Sequence, residues 1–244
     1  MRKMVLDDIE RDFYIEMSRY AGYLDRRHIE RHLAITELYR RTVDLPGSVA
    51  EFGVFHGSTF FLLARLIEIF NGAQFDKYGS SSCQLFGFEL FSGVALSDQD
   101  KSGQMVLNKK LALGRGGFKT SELEFQELLN NFKKITRIPD RLHLISGDIR
   151  KTFDGFRSER GGIRFKFCLV DFDLFEPTEF ILQRLPNLLV PGALILFDEY
   201  GFDEWPGETA AADDFIKKHG LKLYTLPYSH APGAYCIWDS NLPD

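Results

Sequence analysis

The sequence has no surplus of positive charge. Thirty Lys and Arg stand against 35 Asp and Glu, a net charge of -5. The basic face that phosphate-backbone binding requires is therefore missing, and nucleic acid is not an expected partner. No run approaches the roughly 18 apolar residues of a membrane span, and the charged start MRKMVLDDIERD lacks the apolar stretch of a secretory signal. The expectation is a soluble, cytoplasmic protein with no membrane partner. Cysteine is scarce. Cys83, Cys168 and Cys236 lie in or beside strand-like segments without metal-ligand spacing, which predicts buried free thiols in place of bridges or a zinc site. Internal repeats and low-complexity tracts are absent too.

What is present is enough for a full core: 244 residues, 44% of them hydrophobic and 14% aromatic. From Asp8 to about Val43, apolar residues recur at helical spacing among many charges (Tyr14, Met17, Tyr20, then Ile29, Leu33, Leu38). This predicts an N-terminal helical appendage over residues 1–44, ahead of one domain over 45–244. Beyond LPGS, short apolar runs alternate with helical segments. Strands are expected at 48–53, 84–89, 141–146, 164–171, 193–198, 221–226 and 234–238, and helices near 58–71, 121–135, 177–189 and 208–219. That alternation predicts an α/β fold with a mainly parallel sheet covered on both faces. The glycine-dotted stretch 92–119 has no clear period, and its place after the second strand suggests a lid.

Ligands of such folds bind at the carboxyl ends of the strands. Here those ends read Glu51-Phe52-Gly53, Glu89, Gly147-Asp148, Asp171-Phe172-Asp173 and Asp198-Glu199, and all are acidic. Each acid alone could be a helix cap; five in succession at one sheet edge point to a site. Gly53 and Gly57 allow close backbone approach at the first strand-to-helix joint, with Phe55 and His56 between them. Ser58 or Thr59 can cap the helix, whose first amides favour an anion. A dinucleotide loop would read G-x-G-x-x-G, but Phe55 holds the middle position. Glu89 is placed to accept both hydroxyls of a ribose, in a dinucleotide or in S-adenosylmethionine. Asp148 serves either an adenine amino group or the cap of the helix after SGD.

The segments VAEFGVFHGST, FGFELFSG, LISGDIRKTF, LVDFDLFEPT, LLVPGALILFDEYG and WPGETAAADDF together resemble the macrocin O-methyltransferase family over about residues 45–238. Better-known members methylate deoxysugars of macrolide and aminocoumarin antibiotics. The resemblance implies a class I methyltransferase fold, a seven-stranded Rossmann-like sheet with its last strand antiparallel, and dependence on S-adenosylmethionine and Mg²⁺. It implies a cofactor motif at Glu51 and Gly53, a ribose acid at Glu89, metal ligands at Asp171, Asp198 and Glu199, and a general base at Asp173. Many members have two aspartates where this chain has Asp198-Glu199.

The residues support that chemistry independently in part. Asp171 and Asp198 end strands joined by one crossover helix, so their carboxylates can converge on one hard cation, Mg²⁺ above all. Without a metal they would repel, and a nearby Lys or Arg or a retained proton would be needed. Asp173, two residues on, shares a face with Asp171 if the strand stays extended; otherwise it caps the next helix. Phe172, Phe175, Tyr200, Phe202 and Trp205 could wall an acceptor pocket or fill core. The leading expectation is an O-methyltransferase acting on a sugar or glycoside, with self-association open. A nicotinamide oxidoreductase and a non-catalytic cofactor-binding or scaffold protein are the alternatives.

Overall fold

A computed structural model describes residues 19–71, 83–93, 119–203 and 205–239. Most of the stretch expected as a lid, 94–118, and the chain before residue 19 lie outside the described residues. The elements run α1 (Tyr20–Tyr23), α2 (Arg26–Arg40), β1 (Ser48–Phe52), α3 (Ser58–Asn71), β2 (Leu85–Glu89), α4 (Glu122–Lys133) and β3 (Leu142–Ser146). Then follow α5 (Ile149–Glu159), β4 (Phe165–Val170), α6 (Phe175–Leu182), β5 (Leu189–Phe197), α7 (Pro206–His219), β6 (Leu223–Tyr224) and β7 (Ala234–Ile237). The seven strands form one sheet in the order β3-β2-β1-β4-β5-β7-β6. β7 runs antiparallel to both β5 and β6, while the other pairs are parallel. This is the doubly wound, class I methyltransferase arrangement that the sequence led us to expect.

Strand alternation sends side chains to two cores. Val49, Leu85, Phe167, Leu169, Leu194 and Leu196 face α2, α3 and α4. Ala50, Phe52, Phe86, Phe88, Cys168, Val170, Ile195 and Phe197 face α5, α6 and α7. Phenylalanine dominates the second core, where Phe52 and Phe88 stack at 5.1 Å and Phe86 meets Phe156 edge-on at 5.0 Å. Each such buried ring is worth about 2–3 kcal/mol of removed apolar surface. All three cysteines are buried free thiols. No helix among the described residues is long and apolar enough to cross a membrane.

Local chemistry marks several of the helix ends. Asp25 caps α2 by accepting from the Arg27 amide, and Ser121 caps α4 by accepting from Glu124. α7 has Pro206 in its first turn and stops at Gly220, whose φ of +59° is left-handed. α2 is built into the core: Ala34, Ile35, Leu38 and Tyr39 are fully buried against α3 and the sheet. β5 begins four residues before the expected Ala193. Pro191 and Gly192 form an irregularity there, Phe165 and Phe167 of β4 pairing with Leu189 and Leu194 of β5. A proline without an N–H is tolerated at such a point, which is why a strand runs through it.

The sheet order reverses between β1 and β4, so a crevice opens at their carboxyl ends. There Asp171 donates its amide to Phe52 O at 2.8 Å, and Gly53 donates to Phe88 O at 2.9 Å. Gly53 has a φ of +97°, and a Cβ on it would collide with the Asp171 carbonyl. Only glycine allows this approach.

Candidate functional site

A pocket of about 220 Å³ opens over this crevice. Gly53, Phe55, Glu89, Asp148, Asp171, Asp173 and Glu199 all line it. These residues come from the ends of β1 to β5, as the row of acids implied. Phe172 and Trp205 of the expected aromatic wall also line it. Phe202 instead stacks on His230 at 4.5 Å, and the Tyr200 hydroxyl donates to Asp213.

The glycine loop is held by the chain's own anion. Glu89 Oε2 accepts from the amides of Val54 (2.8 Å) and Phe55 (2.6 Å), and Oε1 accepts from Phe91 (3.1 Å). Phe55 takes a left-handed φ of 51° to make this contact, a conformation that costs a non-glycine residue about 1–2 kcal/mol. The first loop amides therefore serve Glu89, where the sequence suggested an open anion seat. Gly57 has a packing reason: a Cβ there would lie 2.6 Å from the Phe125 ring and 2.8 Å from Phe61. His56 is exposed and packs its ring on Phe55 at 4.1 Å, and Ser58 is exposed at the start of α3.

Asp148 is the N-cap of α5. Its Oδ1 accepts from the Arg150 amide at 3.0 Å, and Arg150 Nη2 donates to Oδ2 at 2.8 Å. Those contacts hold its carboxyl below the usual carboxylate range. The capping alternative is thus realised on the pocket wall.

Asp171 and Asp198 converge, as adjacent parallel strands require, and a guanidinium lies between them. Arg31 of α2 donates from Nη2 to Asp171 Oδ2 at 2.8 Å and from Nη1 to Asp198 Oδ1. Its Nε donates to Thr59 Oγ1 at 3.0 Å. Burial opposes the Arg31 charge, but Asp198 and Asp171 outweigh it and raise its pKa further. Burial, with Asp198 beside it, lifts Asp171 to about 7 despite Arg31. Glu199 is not part of this bridge. Its amide donates to Oε1 of Glu208 at 2.9 Å, and its side chain lines the pocket. Among the described residues no group of three His, Cys, Asp or Glu side chains is placed to hold a metal ion. The three-acid Mg²⁺ set implied by the resemblance therefore differs from the arrangement found.

Two more acids near the aspartates are buried. Glu51 is 1% exposed with Oε2 unpartnered, and Glu208 is fully buried with its own Oε2 unpartnered. Burial, above all, pushes both carboxyls well up, toward the protonated form. Glu51 does not line the pocket.

Asp173 departs from the extended-strand picture. β4 ends at Val170, and Asp173 sits at a left-handed φ of 64°. α6 is capped by Leu174 with no side-chain hydrogen bond, so Asp173 is not its cap. Burial and the neighbouring Asp171, Glu199 and Asp198 raise its pKa well above that of an ordinary aspartate. The outcome is an acid facing the same pocket as Gly53 and Glu89.

The macrocin-O-methyltransferase (TylF) family model matches residues 25–226. A curated relative from Streptomyces olivaceus, 8-demethyl-8-(2,3-dimethoxy-alpha-L-rhamnosyl)-tetracenomycin-C 4'-O-methyltransferase, is 23% identical over 195 residues. That match covers 80% of this chain and 66% of the relative, just under two thirds of its length. Among solved structures, the calicheamicin methyltransferase CalS11 superposes with a TM-score of 0.79 at 24% identity, over 95% of this chain and 87% of its own. The O-methyltransferase NovP gives 0.66 at 19% identity, over 86% and 80%. The family match takes in α2 and every strand end that builds the pocket, and the chain belongs to the macrocin-O-methyltransferase family.

Proposed function

We propose that this chain transfers a methyl group from S-adenosylmethionine to a hydroxyl of a sugar or glycoside. The observation that carries the reading is that Gly53, Glu89 and Asp173 line one pocket. On this reading the cofactor seat and the general base share a single cavity. The family match supports the transfer, and the curated relative, named for 4'-O-methylation of a rhamnosyl tetracenomycin, supports a sugar acceptor.

S-adenosylmethionine, when bound, supplies an electrophilic methyl on a sulfonium. The chain's residues do the rest. Gly53 lets the ends of β1 and β4 close together at the pocket, and Glu89, with three of its roughly four acceptor sites taken by amides, keeps one on Oε1 for a ribose hydroxyl. Asp148 and Arg150 wall the far end. Phe172 and Trp205 offer apolar surface to a sugar ring. Asp173 accepts the hydroxyl proton as the oxygen attacks, and its raised pKa makes it a better base than an ordinary aspartate. Alignment of the acceptor oxygen with the methyl carbon supplies the larger share of the rate. Arg31 occupies both aspartates that the resemblance assigns to a metal.

Calorimetry with S-adenosylhomocysteine and with NAD separates this reading from the oxidoreductase one. Saturable binding of the first and none of the second is expected. Transfer of a labelled methyl to a panel of nucleotide sugars and rhamnosides then tests turnover; binding without transfer to any hydroxyl acceptor would favour the non-catalytic alternative.

A further inference from the structure

Arg31 is fixed from both ends. Its three guanidinium nitrogens reach three separate elements, with Thr59 on α3 and Asp171 and Asp198 beyond β4 and β5. The helix that carries it is anchored by the buried Ala34, Ile35 and Leu38, and by Tyr39, whose hydroxyl donates to Asn71 Oδ1 at 2.5 Å. This is not a surface side chain that has swung inward: the Arg31 side chain is 18% exposed and that of Asp198 6%. A planar guanidinium bridging two carboxylates is the geometry that arginine, and not lysine, supplies.

The same gap cannot also hold a hydrated Mg²⁺, which needs oxygens at about 2.0–2.1 Å in octahedral array with several waters retained. To admit one, three hydrogen bonds must break together and the arginine charge must find another partner. Glu30, next to it on its own helix, is already paired with Arg26 at 2.7 Å, and the buried Glu51, the other acid whose field reaches Arg31, is pushed by burial toward its protonated form.

We infer that Arg31 is the resident counter-cation of this site, filling the position between Asp171 and Asp198 that the family resemblance gives to Mg²⁺, and that the chain works without a divalent ion. Arg31 holds the ends of β4 and β5 together and ties α2 to them, so it is a positioning residue. It supplies no Lewis acid to the acceptor oxygen. The inference rests on the methyltransferase reading only for the consequence that transfer survives chelation.

The test is Mn²⁺ titration of the EDTA-treated, desalted protein followed by electron paramagnetic resonance, with S-adenosylhomocysteine calorimetry on the same sample. The wild-type chain is expected to show no saturable Mn²⁺ site up to about 1 mM, the weak end of protein sites for divalent ions. Arg31→Ala, which leaves the two carboxylates facing each other, is expected to gain one site, at least roughly tenfold tighter. Asp171→Asn in that background should remove it. One Mn²⁺ per wild-type chain, lost in Asp171→Asn, would overturn the inference, as would a folded Arg31→Ala that gains no site. Should Arg31→Ala not fold, the wild-type titration decides alone. Failure of S-adenosylhomocysteine to bind would count against the proposed function and leave the Mn²⁺ result standing.

Discussion

Replacing Gly53 by alanine adds a single methyl group at the crevice, and the structure makes its cost large. The backbone there has a φ of +97°, and an L-residue in left-handed conformation costs about 1–2 kcal/mol. The new Cβ would also overlap the Asp171 carbonyl oxygen, which is backbone and cannot rotate aside. Relief requires the ends of β1 and β4 to part, straining the 2.8 Å bond from Asp171 N to Phe52 O. Overpacking of this kind costs about 1–3 kcal/mol and a buried amide bond about 1 kcal/mol more. The sum, about 3–6 kcal/mol, is a large part of a typical domain's stability. In urea, with a slope of about 2–3 kcal/mol/M, the midpoint should fall by roughly 1–3 M. Gly155 is the internal control. It lies in α5, exposed, with nothing within 4 Å of an added Cβ, so Gly155→Ala should raise stability by about 0.5–1 kcal/mol. Equal effects of the two substitutions, or a Gly53→Ala midpoint within about 0.3 M of wild type, would refute the close-approach account.

Asp173→Asn should lower kcat by on the order of 10²–10⁴ while leaving S-adenosylhomocysteine affinity near wild type. Because burial and neighbouring acids raise Asp173, wild-type kcat should climb with pH through a transition above the usual carboxylate range, as the base loses its proton. If the Asp173→Asn variant keeps that transition, the proton belongs to another group. Glu89→Ala strips the acceptor from three loop amides and should lower stability by about 1 kcal/mol per bond, while loss of the ribose contact, about 1.5–3 kcal/mol, should weaken cofactor binding by about 10- to 100-fold; unchanged calorimetric affinity would remove Glu89 from the site. His143 on β3 is depressed to about 4 by burial, aided by Arg160 and Lys133. Its contribution to stability should be complete above about pH 6.5 and disappear as pH falls through 4, on the order of 1–2 kcal/mol after discounting for partial exposure. His143→Gln should flatten that slope in pH-dependent thermal melts.

Much of the fold and half of the site are written in local pattern. Alternation located all seven strands, and the acid at each strand end followed from reading the last residue of each apolar run. β5 was the least well bounded, since Pro191 argues against a strand until the irregularity opposite Phe165 is seen. Asp173 shows where periodicity stops helping. Its place beside Asp171 depends on a left-handed turn after Val170 that two-residue alternation does not contain. Glu208 reads as a helix-turn acid, yet it is buried and bonds back to the Glu199 amide. Arg31 was the least legible. It meets Asp171 and Asp198 across 140 and 167 residues of chain, and nothing at position 31 separates it from the other arginines of its helix. The one available signal was electrostatic: two converging aspartates require a cation, and the chain supplies one.

The hold of Glu89 on Val54, Phe55 and Phe91 bears on the timing of binding. A mobile glycine loop would have to be ordered as its ligand arrives, at about 1–2 kcal/mol for each residue fixed. Here a carboxylate has already drawn the loop into shape, strained Phe55 included. Under the proposed function, cofactor association at this end of the crevice is then closer to docking on a rigid surface than to induced fit. Its on-rate should be set by encounter, and exchange of spent for fresh cofactor can proceed without dismantling the first turn of the fold.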